Sequence, residues 1–457
     1  MLRFIILNFL LSLLSLTLIG QDAPKTHTLT LPEVISLALD RNLLLQRSGI
    51  QVQLRENEVE SEKADFKPNL TASAGISTRY AADGRDPVWD DGSFTDSASG
   101  SLNSSVTLYR GDEQKASLEQ AMSSLEASRK DLDRSQQQIL FQSVARYLEA
   151  VLNLKAIDIQ TEELATRLEN LERIEFDYQN EIRILADVQR QKALVADSER
   201  RVAAANRAYE NSLYLLKDLL LLPPRDEVVL DLDDSDWLEP ENIGEPSIQE
   251  SLARVFERPD LLAQQFRLTA AEKNIRIAES GKKLTLSANA GLRTSYSSRS
   301  PIGNFGEQYF KNSPDISGGL SVSIPIFDRR RAETSIVRAR LQQDQEELDL
   351  QDLEQVAETD LRLAILNFNT AKLQLKASQE QLSSAEIALE AEQARYDAGA
   401  ATLLDVTTLQ STRLDAAVSV EESRFDLFVN RLDIAFQDGT IESFLLNQLN
   451  TNIPGLE

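Results

Sequence analysis

The amino-acid sequence is written twice. NLTASAGISTRY (69 to 80) realigns with TLSANAGLRTSY (285 to 296), which sets Ala74-Gly75 on Ala290-Gly291 and Tyr80 on Tyr296. SVTLYRGD (105 to 112) realigns with SVSIPIFD (321 to 328) at the same offset. Further on, YQNEIRILADVQ (178 to 189) matches YDAGAATLLDVT (396 to 407), so that Tyr178, Leu185, Asp187 and Val188 fall on Tyr396, Leu403, Asp405 and Val406. Similarity kept in order over three segments makes each half one structural unit, and any fold assigned to one half must serve the other. The halves are a first repeat over 21–222 and a second over 247–440, joined by a Pro- and acid-rich connector at 223–246 and followed by a tail at 441–457.

Within each half the hydrophobic period changes in the same order. An opening stretch (about 31–64, and about 247–280) has helical spacing, seen in Leu37, Ala38, Leu44, Leu45, Val52 and Val59. The period then drops to two. Leu70, Ala72, Ala74, Ile76 and Tyr80 alternate with polar residues, as do Leu102, Val106 and Leu108, then Leu284 to Leu292, then Leu320 to Ile326. These predict strands at about 69–80, 101–109, 284–296 and 316–326, each with one apolar and one polar face. The linking segments 81–100 and 297–315 are long and polar. Helical patterns of unusual length follow, at about 112–180 and 328–397, and Leu140, Val144, Tyr147, Val151 and Leu154 have the spacing of a coiled-coil seam. At about 1.5 Å per residue each helix extends on the order of 100 Å. Tips near 181–188 and 397–406 precede returning helices at about 186–220 and 404–437.

The fold class is therefore mainly α with a small β part, built from coiled-coil hairpins and four strands per chain. Strands of about ten residues suit a tilted crossing of an outer membrane, and alternation is the signature of such barrels. Four strands cannot close, and in lipid every bare backbone group at an open edge costs several kcal/mol, about as much as a lost hydrogen bond in hydrocarbon. The barrel must be shared between copies, and 8, 12 or 16 strands all satisfy closure. The plainer alternative is a set of exposed hairpins, but a lone two-stranded hairpin is marginal in water. Tyr80 and Tyr296 end the first strand of each pair while Tyr109 and Phe327 follow the second, where two membrane-interface belts would lie.

Arg3, an apolar run from Phe4 to Ile19 and a polar QDAPKTH have the layout of a secretory signal peptide over 1–20. The chain has no cysteine and one histidine, His27, which excludes thiolate catalysis and structural zinc; no metal site, cofactor or catalytic residue is expected. A formal net charge of −25, spread along the chain, disfavours nucleic acid as a partner.

The order helix, strand pair, long helix, tip and returning helix, written twice, resembles the TolC-type outer membrane efflux proteins, the outer membrane factors of Gram-negative bacteria. LTLPEVISLALDRNLLL (29 to 45) resembles that family's opening segment, ERPDLLAQ (257 to 264) the start of its second repeat and RYDAGAATLLDVTTLQ (395 to 410) its tip motif. The resemblance implies a homotrimer with a 12-stranded β-barrel in outer membrane lipid and a 12-helix tunnel as a large periplasmic extension. It implies docking onto a periplasmic adaptor and an inner-membrane pump, as the passive exit duct of a tripartite efflux or type I secretion system. The alternative is a periplasmic coiled-coil adaptor or tether without channel activity.

By the same resemblance, Gly399, Leu403, Leu404 and Val406, with Leu185 and Val188 in the first repeat, form the adaptor-docking tip, and Asp405, Asp187 and Tyr396 belong to the entrance. An arginine that often closes the entrance in that family is Ala401 here, and Arg183 at the equivalent place in the first repeat is its expected substitute. The bland reading of the second tip is local. Gly399 suits the left-handed residue that ends a helix, and Thr402 with Asp405 has the spacing of a capping box. Asp187 has no Ser or Thr three residues before it, which favours an entrance role for the two aspartates over capping alone.

Overall fold

The computed structural model describes residues 25–81, 93–232 and 243–449. The expected signal peptide, part of the first inter-strand loop, part of the connector and the last eight residues lie outside the described residues. In chain order the elements are β1 (Thr26–Leu29), α1 (Leu31–Arg41), α2 (Leu43–Ala64), β2 (Asn69–Ala81), β3 (Ser93–Arg110), α3 (Glu113–Gln179) and α4 (Leu185–Leu219). They continue as β4 (Glu227–Leu230), α5 (Ile248–Arg254), α6 (Pro259–Ser280), β5 (Thr285–Ser297), β6 (Asp315–Ser323), α7 (Arg331–Asp397), α8 (Leu403–Gln437) and α9 (Ile441–Leu449). The two long helices are both 67 residues and the two returning helices both 35, so the repeat extends to element length.

The chain divides into two compact units. One holds Gln46–Ser135 and Phe256–Glu358; the other holds Met1–Leu45, Gln136–Val255 and Thr359–Glu457.

The first unit contains an antiparallel sheet in the order β2-β3-β5-β6. Its register sorts the side chains. Ala72, Leu102, Leu292 and Ile316 lie side by side across the four strands on one face, and Ser73, Ser101, Arg293 and Asp315 on the other. The apolar face is bare: Leu70 is 70% exposed, Ile76 88%, Ile316 84% and Leu320 70%. On the opposite face hydroxyls satisfy one another across strands, Ser73 with Ser101 at 2.7 Å, Ser77 with Ser97 at 2.9 Å and Ser287 with Ser321 at 2.8 Å. β2 and β6 are both edges, each with an unpaired backbone side within the chain.

Several expectations are adjusted. β3 begins at Ser93, earlier than the sequence pattern predicts, because Asp96 and Gly100 interrupt the apolar alternation of Phe94, Ala98 and Leu102. A bulge between Thr107 and Tyr109 sets Tyr109, rather than Leu108, opposite Leu286, since one extra residue flips the alternation. β6 stops at Ser323, so Ile324 and Ile326 lie beyond it. Asn42 divides the opening helical stretch, its side chain accepting from the Leu44 amide at 2.8 Å. The connector is more than a linker: β4 pairs in parallel with β1, from Thr26 opposite Glu227 to Leu29 opposite Leu230.

Positive backbone φ marks the repeat more sharply than residue identity does. Gly111 and Asp112 (φ 61° and 70°) precede α3, and Arg329 and Arg330 (57° and 64°) precede α7, 218 positions later. Glu181 (59°) follows α3 as Gly399 (75°) follows α7, and Leu221 (53°) follows α4 as Gly439 (78°) follows α8, at that same spacing. Each of these last four closes a helix with the same pair of hydrogen bonds, for example Gly399 N–H to Tyr396 O and Ala400 N–H to Arg395 O, matched by Glu181 to Tyr178 and Ile182 to Asp177. This is the Schellman arrangement, in which glycine carries least strain. A left-handed residue with a Cβ costs on the order of 1 kcal/mol. Glu181→Gly is expected to raise stability by about that amount and Gly399→Ala to lower it similarly, read in amide exchange of the preceding helical turn.

Candidate functional site

The two tips meet in the second unit around a small apolar core of Ile174, Val188, Tyr396, Leu403 and Val406, with Ala401 packed against it. α3, α4, α7 and α8 each contribute to it. Tyr396 is 4% exposed, whereas its repeat partner Tyr178 is 41% exposed. Burial pushes the Tyr396 phenol up.

The structure brings Arg183 to Tyr396: its guanidinium carbon stands 4.5 Å from the ring centroid, with that of Arg173 at 6.0 Å. Such stacking is worth on the order of 1 kcal/mol in part-buried surroundings. Asp187 is not the partner of Arg183. It lies 3.6 Å from Arg190 one turn along α4, while Arg183 Nε is 4.0 Å from Asp177. Arg173 is 3.9 Å from Asp397, a second link between the two hairpins.

Asp405 forms the capping box in full. Its amide donates to Thr402 Oγ1 at 3.3 Å, and its Oδ2 accepts from the Thr402 amide at 3.0 Å and hydroxyl at 2.7 Å. These bonds hold the Asp405 carboxyl below the ordinary aspartate value, the hydroxyl first and the amide second. A lowered folded pKa means that the stabilisation is present above the ordinary value and is lost as pH falls through the lowered one. The first turn of α8 is therefore expected to fray only below about pH 4, and Asp405→Asn to remove that dependence in an exchange-versus-pH series. Asp187 heads α4 without a side-chain cap, since Ile184 stands at the position of Thr402.

The expected docking residues separate by exposure. Leu185 and Leu404 are 52% and 55% exposed at the tips, joined by Ile182 and Ile184, which the repeat alignment did not single out. Leu403, Val406 and Val188 lie in the core instead, because helical spacing carries every third or fourth residue inward. Gly399 makes the turn, with open space where a Cβ would stand.

At the sheet, Tyr80 and Tyr296 mark one end. Tyr80 packs on Phe94, a residue unmarked by the sequence pattern, at 5.1 Å between centroids, and Tyr296 on Phe305 at 5.1 Å. Tyr109 is 37% and Phe327 84% exposed near the other end. Among the described residues no helix is long and apolar enough to cross a membrane, and no cluster of metal-ligating side chains is present.

A four-stranded sheet with an exposed apolar belt, two helices of 67 residues and paired tips are the parts of an outer membrane channel-tunnel subunit. The chain belongs to the outer membrane efflux protein family, which it matches over residues 34–220 and 248–424. Its place is the outer membrane, and it is a channel component rather than the adaptor of the alternative reading. It is 28% identical over 211 residues to the outer membrane protein TolC of Escherichia coli K12, covering 45% of this chain and 43% of TolC, so that match spans less than half of either. It is 22% identical over 429 residues to the outer membrane efflux protein BepC of Brucella suis, covering 91% of this chain and 86% of BepC. The fold matches the open-state structure of the Neisseria gonorrhoeae MtrE outer membrane channel with a TM-score of 0.76 at 20% identity, covering 90% of this chain and 89% of MtrE.

Proposed function

We propose that the protein is the passive exit duct of a tripartite efflux or type I secretion system, working as a homotrimer whose twelve strands and twelve helices line one continuous passage. The observation that carries this reading is the open sheet: β2 and β6 leave two unpaired edges beside a bare apolar face, and in lipid only further copies of the same edges close them. The duct carries out no covalent chemistry, and a periplasmic adaptor and an inner-membrane pump supply the energy. The purified oligomer is expected to give discrete current steps in a planar lipid bilayer. A soluble monomer without current would overturn the proposal.

The tip core and the Arg183–Tyr396 stack hold the entrance shut, and the exposed Leu185 and Leu404 offer the adaptor an apolar contact. Asp405 uses Oδ2 for its cap, and Oδ1 takes no part in it. Three such carboxylates about a threefold axis attract a multivalent cation. A trivalent cation added on the entrance side is expected to block the current, and Asp405→Ala to abolish the block. A block that survives this substitution reduces Asp405 to a helix cap.

A further inference from the structure

The buried face of the hairpins changes character along its length. Near one end α3 buries Leu140, Val144, Tyr147 and Val151, and α8 buries Phe428 and Leu432. Between that region and the tip core polar side chains enter the buried face, Glu163 and Arg167 on α3, Gln191 on α4, Ser378 on α7 and Gln410 on α8, beside the apolar Val195, Ala385 and Leu414.

Glu163 and Arg167 are 2.6 Å apart, with both side chains 5% exposed. Arg167 Nη2 donates across the hairpins to Ser411 Oγ at 3.3 Å, and Gln191 Nε2 donates to the Arg167 carbonyl at 2.9 Å. The partnering is incomplete: Arg167 Nη1, Gln191 Oε1 and Gln160 Oε1 are buried without a hydrogen bond from or to the chain. Two further guanidiniums act on Glu163, Arg413 of α8 and Arg201 of α4, and both are held elsewhere, Arg413 by Glu386 at 3.9 Å and Arg201 by Asp197 at 2.9 Å and Asp415 at 3.7 Å.

We propose that this polar node is a hydratable joint, the level at which the α3/α4 hairpin and the α7/α8 hairpin part most readily. Parting two aliphatic faces exposes hydrocarbon to water. Parting the node returns water to a carboxylate and a guanidinium whose dehydration opposes the closed arrangement, and gives partners to donors and acceptors that lack them. Unpaired groups of both kinds in one place are also what a buried water satisfies. The consequence for opening, that the tip yields from this level outward, rests on the duct reading above.

Amide exchange measured by mass spectrometry on the intact oligomer tests the joint without reference to current. Backbone amides of 160–167 and 188–195 are expected to exchange at least tenfold faster than those of 140–151. Glu163→Met with Arg167→Met, which replaces the node by apolar side chains of similar length, is expected to slow that exchange at least tenfold and to make current steps rarer. Arg167→Met alone strands the carboxylate and is expected to speed exchange. Ser411→Ala, which removes only the cross-hairpin hydrogen bond, is expected to leave exchange within about twofold of the parent; a large increase would mean that the node is a latch, and would overturn the proposal. Equal protection in the two regions of the unsubstituted protein would overturn it as well, and so would a double variant that exchanges as fast as the parent. An oligomer that carries no current refutes the duct reading, while the exchange result still decides the joint.

Discussion

An oligomer carrying Leu292→Arg is expected to disappear from the outer membrane fraction. Leu292 lies between Leu102 and Ile316 on the apolar face, midway along β5. A guanidinium there meets hydrocarbon, at a cost of about 2–4 kcal/mol per chain near the bilayer midplane. In the proposed homotrimer three copies multiply that cost, and it falls on the assembled state alone. Asn289→Arg is the matched control. Asn289 is opposite Ser105 on the polar face, and an arginine there stays in water, so wild-type amounts of heat-modifiable oligomer are expected. Equal yields from the two variants would mean that the apolar face does not meet lipid.

Tyr396→Ala is expected to give the largest effect at the tip. The substitution removes a buried ring from a five-residue core, with a loss of about 3–5 kcal/mol by analogy with other aromatic truncations. It also removes the surface on which Arg183 stacks. Longer or more frequent open events in bilayer recordings are expected, together with faster amide exchange around 171–189 and 396–406. Tyr178→Ala, at the equivalent but exposed position of the first repeat, is expected to change neither. If both variants behave alike, the closing contact lies outside this core.

The sequence made the strands and long helices legible because their signals are long and periodic, and the duplication allowed each to be read twice. The β1–β4 pair was invisible, since two four-residue segments about 200 positions apart have no period of their own. Phe94 lies beyond a run of Ser and Asp residues, and nothing in its neighbourhood marks it as the partner of Tyr80. Glu181 and Leu221 are ordinary residue types in a glycine conformation; what betrays them is the glycine 218 positions later in each case. The cap at Asp405 was readable from Thr402, but the separation of Leu404 from Leu403 needed the helix to be placed. Glu163 and Arg167 have the spacing of a solvent-exposed helical ion pair, and only packing against α4 and α8 turns them inward.

The parallel pairing of Thr26–Leu29 with Glu227–Leu230 has a consequence for the order of assembly. A chain made from its N-terminus presents β1 first and must then deliver two strands, both arms of a coiled-coil hairpin and part of the connector before the partner strand exists. The first half is thus tied off only as the second half begins. Until then its start is a loose end, and the stitch that secures it also registers that the first half is complete.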